Sequence, residues 1–205
     1  MTNNNMYFIA NWKMFGKLSS INSINKVIKL SKSNEFSKTK IIYCPPYTLL
    51  KDFVQKTKKT KISIGAQDCH YENNYGPFTG SINAKQIKNT GANYTIVGHS
   101  EKRSAGDTNI IVNKKVICSL REKLNVILCI GETLKEKQKG MTTKIINKQL
   151  EICLKNIKDL KKVIIAYEPV WSIGTGKVLK VEDLNVILKK IKIFLKKKYK
   201  IKNPK

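Results

Sequence analysis

The sequence predicts an α/β fold in which helices cover a parallel sheet, and two observations carry that prediction. Along the 205 residues, six short, continuously apolar runs alternate with six stretches of helical spacing. Strands buried on both faces by helices read in this way. Polar and glycine residues also recur directly after the apolar runs, at Asn11-Trp12-Lys13, Gln67-Asp68, Gly98-His99-Ser100-Glu101, Gly131-Glu132 and Glu168. In a parallel fold such strand ends all face one way, and sites are built there. An open doubly wound sheet fits the same periodicity. No GxGxxG follows the first strand, however, and a dinucleotide-binding reading loses ground.

In chain order, residues 7–11 form the first apolar run and residues 20–30 have helical spacing through Ile21, Ile24, Val27 and Ile28. Residues 41–44 form a second strand, stopped by Pro45-Pro46, with a weak helix over 48–56. The third strand, 62–66, leads into a long polar loop, 67–80, and a helical pattern over 83–90. Strand four covers 94–97 and is followed by an amphipathic helix over 108–120. Strand five covers 126–130, with one helix predicted over 134–157. The sixth strand, 163–166, precedes a helix over 181–195 that is apolar at Leu184, Ile187, Leu188, Ile191 and Leu195.

A chain of this length and 23.4 kDa is most simply one domain, over residues 1–205. No apolar run approaches the ~20 residues of a membrane span. The opening MTNNNMYFIANWK lacks the charged n-region and apolar core of a signal peptide. Cys44, Cys69, Cys118, Cys129 and Cys153 are odd in number and form no CxxC pair. Reduced thiols in a cytoplasmic protein are expected, without a metal site. The charge is extreme, 40 Lys+Arg against 14 Asp+Glu, formally +26. Nearly all of the excess is lysine, and it accompanies abundant Asn and Ile, whose codons are likewise A/T-rich. Compositional drift therefore explains it without a ligand. No aromatic ladder interleaves with the lysines as in single-strand nucleic-acid binders.

The stretch AYEPVWSIGTGK, residues 166–177, is the most informative in the chain. Glu168 stands directly behind a buried strand, and the proline after it disfavours a helical conformation, so the carboxylate ends the strand. Trp171 can shield a site from water, and Gly174-Thr175-Gly176 loosens the far end. An acid followed by a stiff front and a glycine-rich tail reads as a base with its own lid. A plain strand-to-helix loop with a surface glutamate is the blander alternative.

Seven segments then resemble the triosephosphate isomerase family in order and spacing: NWKM, CPPYTLL, GAQD, FTG, VGHSEKR, CIGET and YEPVWSIGTGK. The resemblance implies a (β/α)8 barrel that interconverts dihydroxyacetone phosphate and glyceraldehyde 3-phosphate in glycolysis and gluconeogenesis, with no cofactor and no metal. It implies that Glu168 is the proton-moving base and His99 the electrophile at the carbonyl oxygens. By the same resemblance Lys13 supplies positive charge, Asn11 orients the substrate and Glu101 supports the site, while Cys129 packs beneath it. Pro169, Val170, Trp171, Gly174, Thr175, Gly176 and Lys177 belong to the closing lid, with backbone N–H groups near Gly174 holding the phosphate. Loop 67–80 would make a homodimer contact through Thr79. Nucleic acid and membrane are not expected partners. His70 is expected to be a surface residue, and Asp68 and Glu132 to be structural. The chemistry asks for these types independently. Abstraction next to a carbonyl needs a carboxylate of raised basicity, and the enediolate oxygen needs a donor such as a neutral imidazole; the family is itself a standard illustration of that pairing.

Two departures stand out. The family's GAFTGE is here Gly76-Pro77-Phe78-Thr79-Gly80-Ser81, and the arginine that pairs with its acid is Lys102, so both partners of that ion pair are changed. A complete barrel takes about 250 residues, whereas here about six βα units are found and the YGGS and GG phosphate loops are absent, giving an incomplete barrel truncated after the sixth helix. An inactive fragment that needs a partner chain is one alternative reading. A basic nucleic-acid binder, with steep salt dependence, is another. The expectation is that the 205-residue polypeptide, purified alone, turns over triose phosphate far more slowly than complete family members; turnover close to theirs in a coupled assay would contradict it.

Overall fold

A computed structural model describes residues 6–200. The strands are β1 (Met6–Asn11), β2 (Thr39–Cys44), β3 (Ser63–Ala66), β4 (Tyr94–Val97), β5 (Asn125–Ile130) and β6 (Val163–Tyr167). The helices are α1 (Ile24–Leu30), α2 (Tyr47–Thr57), α3 (Ala84–Asn89), α4 (Ser100–Ser104), α5 (Asn109–Arg121), α6 (Leu134–Gln138), α7 (Thr142–Cys153) and α8 (Val181–Tyr199). The chain divides into two compact units, Met1–Ile96 with Cys118–Val126, and Val97–Ile117 with Ile127–Lys205.

In the first unit β1, β2, β3 and β4 are neighbours in chain order and parallel, with Ile9 opposite Ile42, Tyr43 opposite Ile64 and Gly65 opposite Tyr94. Parallel neighbours need crossovers, which the intervening helices supply. Ile42, Ile64 and Ile96 are buried against Leu50, Phe53 and Ile87 from α2 and α3. Phe53 packs edge-on to Trp12, with ring centroids 5.0 Å apart, and stacks on Tyr43. Gly65 is required by close packing: a Cβ there would lie 2.9 Å from both Cys44 Sγ and Tyr94 Cβ. Burial pushes the Cys44 thiol up to about 12, so it is an inert core group.

In the second unit β5 and β6 are neighbours, and Ile127, Leu128, Ile130 and Ile164 are buried together with Ile146, Leu150 and Leu154 of the α7 region and Ile191 and Leu195 of α8. The face of α8 predicted from its spacing is the one that turns inward, and Tyr199 donates to the Leu154 carbonyl at 3.3 Å. Lys115 is a buried lysine, and its ammonium meets Asp107 at 2.6 Å, as a buried cation requires.

Several helices differ from the sequence expectation. The predicted helix over 20–30 opens with a 3-10 segment, Leu18–Ser23, before α1. The predicted helix over 134–157 is two, because Gly140 adopts φ +68° and turns the chain, with Gly140 N–H on Lys137 O and Met141 N–H on Glu136 O. Helix α8 runs one turn further, since Lys196–Lys198 are good helix formers and complement the C-terminal dipole. A short helix, α4, forms where only a loop was foreseen.

Candidate active site

Strand β6 delivers Glu168. Its N–H donates to Ile130 O at 2.8 Å, which carries the backbone across the end of β5. Gly131 makes that crossing possible. A Cβ at 131 would land on the Glu168 carbonyl oxygen, and only 2.8 Å from the carbonyl carbon. The Glu168 side chain, 19% exposed, then turns toward the loop after β4. There Oε1 accepts the Ser100 N–H at 2.7 Å, and Oε2 lies 3.3 Å from His99 Nε2.

His99 is the N-cap of α4, and its Nδ1 accepts the Glu101 N–H at 3.3 Å. An accepting Nδ1 leaves the proton on Nε2, the nitrogen aimed at Glu168. The Glu101 carboxylate is itself mostly solvent-facing, 3.7 Å from Nδ1, so it is the Glu101 backbone that orients the ring. Arg103 fixes the base of this loop: it donates to Gly98 O at 2.7 Å, to Asn109 Oδ1 at 2.6 Å and to Cys129 O at 3.2 Å. Cys129 itself is buried. Burial raises the Glu168 carboxyl above the ordinary carboxylate range; His99, the Ser100 hydrogen bonds and Arg103 oppose the rise.

Residues 169–177, expected to form the lid, follow. Val170–Ser172 forms a 3-10 turn, and Val170 N–H donates to Glu132 O at 3.1 Å. Trp171 is 9% exposed and donates through Nε1 to Glu132 Oε1 at 2.9 Å. Glu132, 1% exposed, also accepts from Tyr167 Oη at 3.0 Å. Thr175 Oγ1 donates to Trp171 O, while Gly174 and Gly176 sit at φ +69° and +71° in solvent. The front of the segment is tied to Glu132, and its far end is exposed.

Asn11, Lys13 and Thr79 belong to the first unit. Asn11 Oδ1 accepts the Lys13 N–H at 2.9 Å, and Lys13 holds φ +51°, a conformation that costs a non-glycine residue about 1–3 kcal/mol. Gln67 Nε2 offsets it by donating to both Lys13 O and Cys44 O at 2.8 Å. Thr79 is exposed on the loop after β3. His70 is not the plain surface residue expected. Half-buried, it stacks on Tyr71 at 4.4 Å and lies 4.6 Å from Phe78, while its N–H pairs with Ile82 O, so it organises the loop.

Sequence reasoning missed Ser100, Gly131 and Arg103. Ser100 acts through its backbone N–H, which no side-chain pattern reports, and Gly131 acts through a missing Cβ. Only their position directly after strands hinted at either. Among the described residues, no three His, Cys, Asp or Glu side chains are grouped to hold a metal ion.

The model of the triosephosphate isomerase family matches residues 6–205. Similar proteins include the triosephosphate isomerase of Alkaliphilus metalliredigens (strain QYMF), 36% identical over 193 residues, covering 93% of this chain and 77% of that protein. That of Zygosaccharomyces bailii is 39% identical over 194 residues, covering 94% and 77%. That of Prosthecochloris aestuarii is 39% identical over 170 residues, covering 82% and 67%. Gly131→Ala should lower stability by about 3 kcal/mol or more, in line with overpacking against backbone, and should displace Glu168. Denaturant unfolding and the chemical shift of the Ser100 amide would register both; an unchanged midpoint would refute the close approach.

Proposed function

The chain belongs to the triosephosphate isomerase family, and we propose that Glu168 and His99 carry its proton transfers. The reaction interconverts dihydroxyacetone phosphate and glyceraldehyde 3-phosphate through an enediolate. Glu168 takes the proton from one carbon and returns it to the neighbouring one. His99 donates a hydrogen bond from Nε2 to the carbonyl oxygen on which negative charge develops. Carrying this reading is one observation: the Glu168 carboxylate lies 3.3 Å from His99 Nε2 while His99 Nδ1 accepts a backbone N–H. A hydrogen-bond donor is thus held beside a desolvated base.

Both Glu168 carboxylate oxygens are engaged, one by Ser100 N–H and one facing His99. For turnover the substrate oxygen takes over the Nε2 proton, and the carboxylate leaves Ser100 to reach carbon. Residues 169–177 close over the intermediate and exclude water, since an exposed enediolate phosphate loses phosphate. Lys13 supplies positive charge to the dianion, Asn11 orients the substrate, and N–H groups near Gly174 receive the phosphate. Glu101 and Cys129 support the site. The chain acts as a single domain, without a cofactor or nucleic acid, in the cytoplasm. No described helix is long and apolar enough to cross a membrane.

Glu168→Gln should lower the rate of triose phosphate hydrogen exchange with D2O by about 10²–10⁴-fold, with little change in KM; a variant as fast as the parent would remove Glu168 from the role. Because the folded state holds the Glu168 proton more tightly than an unfolded chain does, the acidic limb of kcat/KM should lie above the ordinary carboxylate range. The sign for stability follows: this group's contribution falls as pH rises through that same window.

Homodimerisation through residues 67–80, with Thr79 in the contact, fits the exposed Tyr75 and Phe78 on a loop otherwise tied down by Asn83, which donates to Asn73 O and Asn74 O. With Ser81 and Lys102 in place of the family's acid and arginine, that contact lacks their ion pair. Light scattering at micromolar concentration should give twice the 23.4 kDa chain mass; a monomer would overturn the dimer.

A further inference from the structure

Trp171 is held on its edge and on its face. Its Nε1–H donates to the buried Glu132 carboxylate at 2.9 Å, and the ammonium of Lys137 stands 3.5 Å from the ring centroid. We propose that Lys137 is a positioning residue of the isomerase site, latching the front of the 169–177 segment through the face of Trp171. The proposal rests on reading that segment as the lid.

Several features make this contact more than a chance approach of a surface lysine. Helix α6, which carries Lys137, is fixed at its start by the reciprocal Thr133–Glu136 capping box and at its end by the Gly140 turn, so the side chain springs from a set position. Glu132 cannot swing away, because Tyr167 Oη donates to it at 3.0 Å. An indole N–H given to a carboxylate shifts electron density into the ring and makes its face more negative, which strengthens the attraction for a cation. Val170 N–H on Glu132 O and Thr175 Oγ1 on Trp171 O join the indole to the rest of the segment. The segment therefore cannot lift without drawing the ring from beneath the ammonium. Glu132 forms the fixed half of the clasp and Lys137 the adjustable half, since its exposed head can release the ring at modest cost.

The test uses the whole 205-residue chain labelled with 5-fluorotryptophan. Only Trp12 and Trp171 report, and Trp12→Phe assigns them. Lys137→Met keeps the length and apolar stem but removes the charge. It should shift the Trp171 fluorine resonance and raise the lifted population, read from relaxation dispersion, about two- to five-fold. Lys137→Gln should do the same and decides the matter should the Met variant fail to fold. Lys137→Arg should return the parent signal, and Trp12 should not move in any variant. A Trp171 signal in the Met or Gln variant indistinguishable from the parent would overturn the latch, as packing alone would then suffice. Dihydroxyacetone phosphate separates the two readings. If charge removal frees Trp171 but the substrate leaves its resonance unmoved in every variant, the latch stands and the lid reading fails.

Discussion

The burial of one carboxylate, Glu168, among donors that nearly balance its desolvation is the constraint around which the second unit is arranged. A carboxylate taken out of water loses several kcal/mol unless hydrogen bonds replace its shell. Here Ser100 N–H and the facing His99 replace part of it, and Arg103 adds positive charge without direct contact. The compensation is incomplete, which leaves the group more basic than an ordinary glutamate. Each donor is itself fixed: His99 by the Glu101 N–H, and the loop before it by the three carbonyl and amide oxygens that Arg103 gathers. The base is tuned by its neighbours' rigidity as much as by their charge.

The segment behind Glu168 shows a gradient of order. Its first residues are tied to Glu132 through two N–H groups, one from the backbone and one from an indole, and its last residues carry glycines in the left-handed region with open space around them. A lid needs few buried contacts at its tip, while a base at its root needs a fixed position. Placing the buried carboxylate of Glu132 under the joint separates the two demands. In the first unit a comparable tension is resolved locally, where Lys13 keeps a costly backbone conformation that Gln67 staples from two sides.

The long polar loop after β3 shows how composition misleads. The sequence reads it as a polar loop with a dimer contact at Thr79, and His70 as a surface histidine. Instead Cys118 Sγ donates to Tyr71 O, Asn73 reaches Glu122, and His70 lies among aromatic rings. Cys118 and Glu122 come from α5 and the turn after it, distant in sequence, so no local pattern could announce them.

By itself the sequence determined the alternation of strands and helices, the inward stripe of α8, the family, and which residue types to look for at the strand ends. These are periodic or local properties: an apolar run buries itself wherever the fold places it, and Glu168 before a proline must end a strand. Tertiary structure alone decided which groups surround Glu168 and Trp171. The Ser100 amide, the absent side chain of Gly131, the guanidinium of Arg103 and the ammonium of Lys137 act through backbone direction, excluded volume and approach in space. None of these has a period along the chain, and each exists only once the strands have brought distant residues together.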